Sequence, residues 1–175
     1  RLLSKGGAVK DNDAQPLIEW VLSTGNSMKY FTPEWWSTGG EQAGIAFERY
    51  EAYLASVRAH LPPALVDLEA HHTLHDSEVK HVDCDFQIRS VAMRLNGWDR
   101  ALQYPVHYCL RFLNVSLFEQ VLPQQEYVES ELGDLGYWEC ELLGSEVEVR
   151  MLFASDAEFR IRFQDFGFSH EQVTA

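Results

Sequence analysis

Apolar residues recur at helical spacing through the first third of the chain and switch to strict alternation after Asp76. The clearest helical stretch carries Ala43, Ala46, Phe47, Tyr50, Tyr53, Leu54, Val57 and Leu61 along one face, with Glu48, Arg49, Glu51 and Arg58 on the other. Thr38 and Glu41 stand before it at the spacing of a capping box. Pro62-Pro63 ends this helix, and a short amphipathic one with Leu65, Val66 and Leu68 is predicted to run to about His71. Upstream, DAQPLIEWVLSTGN predicts a short helix with Leu17, Ile18, Val21 and Leu22 on its stripe. MKYFTPEWW reads as a connector that Trp35 and Trp36 pin to the core.

The alternating runs predict strands. VKHVDCDFQI puts Val82, Cys84, Phe86 and Ile88 inward, and His81, Asp83 and Asp85 outward. SVAMRLNGW puts Val91, Met93 and Leu95 inward and closes on Asn96-Gly97, a turn dipeptide. PVHYCLRFLNVSLFEQVLP reads as one long strand. Its apolar phase moves from Val106, Tyr108, Leu110 and Phe112 to Leu113, Val115 and Leu117, which predicts a bulge near Phe112–Leu113. YWECELL, EVEVRMLF and EFRIRFQDF form a meander. A Gly144-Ser145 turn sets Trp138 opposite Met151, Cys140 opposite Val149 and Leu142 opposite Val147. The second hairpin is expected to pair Phe153 with Phe159, Met151 with Ile161 and Val149 with Phe163.

The predicted fold is α+β, a single domain over residues 1–175. N-terminal helices (1–72) would pack on one face of a mainly antiparallel sheet of five or six strands (73–168). With 175 residues and 46% hydrophobic content the chain can bury a substantial core. The first residues lack the apolar core of a secretory signal, and no run is long enough to span a bilayer. Cys84, Cys109 and Cys140 are odd in number and widely spaced, which argues against a disulfide framework and for the cytoplasm. Cys84 and Cys140 read as small buried hydrophobes. A net charge of −13 offers no nucleic-acid surface and would speed association with a basic protein partner, while plain solubility accounts for the same charge. Nucleotide binding through a glycine-rich phosphate loop is excluded, since no such motif occurs.

Two groups could carry chemistry. His71, His75, Asp76 and His81 lie in HHTLHDSEVKHVDCD, which holds four of the seven histidines. They are the ligand set of a small metal-dependent enzyme if helix and strand bring them together. Their spacing matches no metal signature, so a polar joint is the preferred reading and no cofactor is predicted. The second group is acidic. Between Gln124 and Val149 there are eight acids and no lysine or arginine. Glu141 falls opposite Glu148, a destabilising like-charge pair. An acidic sheet face of Glu139, Glu141, Glu146 and Glu148 would serve to meet a basic partner. Alternatively, Arg150, Arg160 and Arg162 offset it internally, with Glu139 opposite Arg150.

Leu74, His75 and Asp76 open the meander, and Phe159, Ile161, Phe163, Asp165 and Phe166 close it. In these residues the segment 62–168 resembles a loose group of uncharacterised bacterial domains, some of them similar to immunity proteins that neutralise toxins. The resemblance implies a sheet-based α+β domain and brings no catalytic residues. The expectation from sequence is therefore a non-enzymatic, immunity-like protein-binding module whose partner is a basic protein such as a toxin. The alternatives are the small metal enzyme and a homo-oligomeric structural protein suggested by the aromatic content.

Overall fold

The computed structural model describes residues 28–38, 43–121 and 132–173. The predicted helix over residues 13–26 and the capping residue Glu41 lie outside them. The described helices are α1 (Pro33–Ser37), α2 (Ala43–Val57), continued by a 3-10 turn at Arg58–His60, and α3 (Pro63–His71). Eight strands follow: β1 (Glu78–Asp85), β2 (Ser90–Trp98), β3 (Pro105–Leu113), β4 (Leu117–Val121), β5 (Leu135–Leu143), β6 (Glu146–Phe153), β7 (Glu158–Phe163) and β8 (Asp165–Gln172).

The class is α+β, as expected, but the strands form two sheets rather than one sheet of five or six. Their orders are β1-β2-β3-β8 and β4-β7-β6-β5, with every pair antiparallel. The reason lies in the phase slip after Phe112. Asn114 adopts a left-handed conformation, with φ of 52°, and the chain leaves the first sheet for the second. β7 returns across the same corner into β8, where Gln164 N–H donates to Leu113 C=O. The slip is thus a corner at which two paired strands change sheets. Val106, Tyr108, Leu110 and Phe112 face inward on one side of it. Phe159, Ile161 and Phe163 do so on the other. Phe112 and Phe163 meet across the corner with ring centroids 5.0 Å apart.

Both sheets and α3 share one core, in which Leu65, Leu74, Met93, Leu110, Leu135 and Phe163 are sealed from water. The β5–β6 register is the one expected. The β6–β7 register differs by two residues: Met151 pairs with Phe159, Val149 with Ile161 and Val147 with Phe163. The turn is a three-residue loop, Ala154–Asp156, closed by Asp156 at φ 64°. A two-residue shift leaves every side chain on its own face, so alternation could not distinguish the two registers.

Three local expectations fail for identifiable reasons. Gly97 lies inside β2, because a Cβ there would overlap the Ser77 hydroxyl; the turn comes later, held by the Asp99 carboxylate accepting from Ala101, Gln103 and Tyr104 N–H. Phe86 and Ile88 are 88% and 65% exposed at the β1–β2 hairpin tip, where Asp85 closes the turn by accepting from Gln87 and Ile88 N–H. Cys84, beside that tip, is exposed, whereas Cys140 is buried as expected. The Thr38 hydroxyl donates to Trp35 C=O at the end of α1, and its expected capping partner Glu41 lies outside the described residues. None of the described helices is long and apolar enough to cross a membrane.

Candidate functional site

Strand β5 is an edge of the second sheet, and α2 lies along it. The Tyr50 hydroxyl accepts from Cys140 N–H at 2.8 Å, and the Tyr53 hydroxyl accepts from Leu142 N–H at 2.7 Å. Two phenols three residues apart on one helix face take the place of a neighbour strand that β5 lacks among the described residues. Next to β5, the Leu74–Ser77 corner is clipped on by its backbone. Asp76 N–H donates to Leu135 C=O, and Leu135 N–H donates to Ser77 C=O. Asp76 takes a left-handed φ of 58°, and Leu74 is fully buried. The triplet Leu74-His75-Asp76 is therefore a corner with one core residue and one turn residue.

This geometry disperses the histidine cluster. His71 pairs with Asp67 one turn earlier on α3. The His75 ring approaches Gly136 C=O at 2.5 Å and Asp76 at 3.6 Å. His81 pairs with Asp83 on the exposed face of β1. No three His, Cys, Asp or Glu side chains among the described residues come together as a metal ligand set. The metal-ligand expectation for His71, His75, Asp76 and His81 is corrected on that ground: the helix ends at His71 and the corner turns the later residues apart.

The expected acidic face is corrected as well. Glu141 does oppose Glu148, and Glu139 does oppose Arg150. Yet the Glu139 and Glu148 side chains are 1% and 3% exposed. Arg150 reaches all three carboxylates, at 3.3 Å to Glu139 and 2.6 Å to both Glu141 and Glu148. Arg162 adds a 2.8 Å contact to Glu148, and Arg160 bridges Glu148 and Glu119. Glu139 also accepts from the backbone N–H of Lys29, Tyr30 and Phe31, fastening the segment before α1 to the sheet. Lys29 pairs with Glu141. Burial pushes the Glu141 carboxyl up, but the bonds from Lys29 and Arg150 outweigh it and hold it below its usual range. Lys29, Arg150, Arg160 and Arg162 thus offset Glu119, Glu139, Glu141 and Glu148, and of the four acids expected on that face Glu146, at the hairpin end, stands apart from the network.

A different place gathers function-like features. Between α2, α3 and the β5 edge lies a cleft of about 560 Å³. Phe31, Leu54, Val66, Tyr137 and Trp138 give it apolar walls, and Glu51, Arg58, Glu69, His75 and Arg100 bring charged or titratable groups to it. Trp35 and Trp36 brace the wall from behind, packing on Tyr137 with centroids 4.9 and 5.3 Å away. Gly136 lets the Trp36 indole lie directly on β5, since any Cβ would strike it. A second depression of about 720 Å³ lies over the wet face of the first sheet, among Lys80, Arg94 and His107, and is shallower and more polar.

Glu69, on α3, is the group in the cleft that sequence reasoning missed. Its carboxylate accepts from the Tyr50 hydroxyl at 2.9 Å. Burial pushes it up to about 7, against smaller lowering effects from Tyr50, Arg100 and Arg58. Among the described residues it has no ion pair, unlike Glu139, Glu141 and Glu148. The Arg100 guanidinium is spent on the Ala70 and Glu69 carbonyls at the end of α3. Behind Tyr50, burial pushes the Cys140 thiol up to about 12, so it is no nucleophile at neutral pH. Burial also raises Tyr50 well above its ordinary value. The arrangement is an apolar cleft with one carboxyl that can gain or lose a proton near neutrality and can pair with a cation. The signal in the sequence was a glutamate on the short helix after Pro62-Pro63, at a spacing that places it near Leu65 and Leu68. Comparison with protein-family models and with curated proteins gave no match to this chain.

Proposed function

We propose that this chain is a non-enzymatic binding module, of the immunity-like kind that its corner and closing strands resemble, and that its contact with a partner protein is the α2–α3–β5 cleft. The carrying observation is that cleft itself: about 560 Å³, walled by aromatic and aliphatic side chains, with a half-buried carboxyl inside. The acidic face of Glu139, Glu141 and Glu148 is a weaker candidate, because its charges are already consumed by arginines. The net charge of −13 still favours a basic partner through long-range attraction. A bacterial cytoplasmic setting is part of the same proposal and rests on three cysteines that are all unpaired.

The test uses a neutral aromatic probe, 2-phenylethanol, followed by amide and methyl NMR shifts. Binding in the cleft moves signals from Leu54, Val66 and Trp138, and Ala70→Trp, which fills the cleft, abolishes the shifts while the fold's other signals persist. Shifts scattered over the surface, or unaffected by Ala70→Trp, would remove the proposal. The Glu146→Lys variant should leave the probe's affinity unchanged.

A further inference from the structure

We infer that the group the cleft receives is cationic, a lysine or arginine side chain of the partner protein, with its alkyl stem along the aromatic wall and its head on the Glu69 carboxylate. This rests on the cleft being the binding site.

Two buried carboxylates of the second sheet are neutralised within the chain. Glu148 meets Arg150 and Arg162, and Glu139 meets Arg150 and three backbone N–H groups. Glu69 instead receives one hydroxyl from Tyr50 and, among the described residues, no cation within ion-pair distance. A carboxylate removed from water without an ion partner is costly, and an incoming cation would supply that partner. The surroundings suit a long cationic side chain. Tyr137 and Trp138 line the cleft with aromatic surface, and Leu54 and Val66 offer aliphatic contact for a stem that snorkels its charge toward the carboxylate. The other charged groups facing Glu69 have been assigned. Arg100 is held by the carbonyls that end α3, and Arg58 sits on the exposed 3-10 turn, where both oppose an incoming cation. Glu51 on α2 attracts it. Tyr50 and Cys140 remain protonated and neutral, because burial raises both. His75, from the corner, faces the same cleft and must be controlled for.

Binding of a cation is then linked to loss of the Glu69 proton. The probe is the peptide acetyl-Gly-Leu-Lys-Leu-Gly-amide, with norleucine in place of lysine as its neutral twin, titrated calorimetrically at pH 5.5 and pH 8. With a Glu69 value of about 7, the lysine peptide should bind about thirtyfold tighter at pH 8, and the norleucine peptide should show no such change. Glu69→Gln should flatten the lysine profile, while His75→Gln should leave it in place. Equal binding of the two peptides, or a slope that survives Glu69→Gln, overturns the inference. If neither peptide binds but 2-phenylethanol still moves the cleft signals, the cation is wrong and the cleft stands. If 2-phenylethanol fails too, the cleft itself is the wrong site.

Discussion

Replacing Glu69 with glutamine should make the protein more stable in alkali and leave it unchanged in acid. Glu69 holds its proton in the folded state up to about pH 7, whereas an ordinary carboxyl releases it near 4.5. Between those values the folded protein carries one more proton than the unfolded chain. Stability therefore falls as pH rises, at 1.36 kcal/mol per unit. The contribution is fully present below about 4.5 and gone above about 7. Two and a half units amount to on the order of 3 kcal/mol. Glutamine keeps an oxygen that accepts from Tyr50 and has no proton to lose. The difference in unfolding free energy, variant minus wild type, should climb from near zero at pH 4.5 to about 3 kcal/mol at pH 8. For a chain of 175 residues that is roughly 6–12 °C in Tm. Urea melts of both proteins at half-unit pH steps measure it. Carboxylates held low by cations, Glu141 among them, push stability the other way, but they are common to both proteins and cancel in the difference. A difference that stays flat with pH would refute the claim that burial holds this carboxyl neutral.

Other substitutions test the scaffold. Glu148→Ala strips three arginines, Arg150, Arg160 and Arg162, of a shared buried partner and should cost about 3–5 kcal/mol in urea unfolding. Gly97→Ala should cost about 1–3 kcal/mol through overlap with the buried Ser77 hydroxyl, and Ser77→Gly should restore most of the loss, as a double-mutant cycle would show. Ser77→Ala alone should be neutral or stabilising, because that buried hydroxyl has no hydrogen-bond partner among the described residues. Phe86→Ser, at the exposed hairpin tip, should change stability by less than about 0.5 kcal/mol. Phe112→Ala, at the corner between the sheets, should cost about 3–5 kcal/mol on the same denaturant curve.

Much of the strand pattern was legible because burial on one face of a strand writes itself as alternation. Val91, Met93 and Leu95 on β2 and the β5–β6 register follow from it directly. Alternation carries no information about which sheet a strand joins. The slip after Phe112 was visible as a change of phase, but a bulge and a corner produce the same slip. Only the pairing of Gln164 with Leu113 across the bend separates them. Alternation also fails at a strand's end: Phe86 and Ile88 continue the inward phase of β1, yet Asp85 has already turned the chain. The candidate site was illegible for another reason. Its parts come from α2, α3 and β5, with β5 more than 60 residues beyond the two helices, and no local motif joins Glu69 to Tyr137.

The opposed pair Glu141 and Glu148 marks the point where the sequence and the fold differ most in meaning. In a sheet with one wet face, opposed glutamates signal a surface waiting for a basic partner. Here the face is covered. Lys29, Tyr30 and Phe31 lie over it with their N–H groups on Glu139, and Arg150 sits between the glutamates as a shared counter-ion. The acids act as fasteners: they fix the segment before α1, and that segment carries Phe31 into the cleft wall while α1 places Trp35 and Trp36 behind Tyr137. Loosening the network should therefore reach the cleft. Glu139→Gln retains an acceptor for the N–H groups but removes one of the three carboxylates facing Arg150, so Phe31 and Tyr137 should lose their stacking before the strands melt. A fall in 2-phenylethanol affinity with β6 and β7 amide protection intact would show that coupling. Unchanged affinity would mean that the network supports the sheet alone.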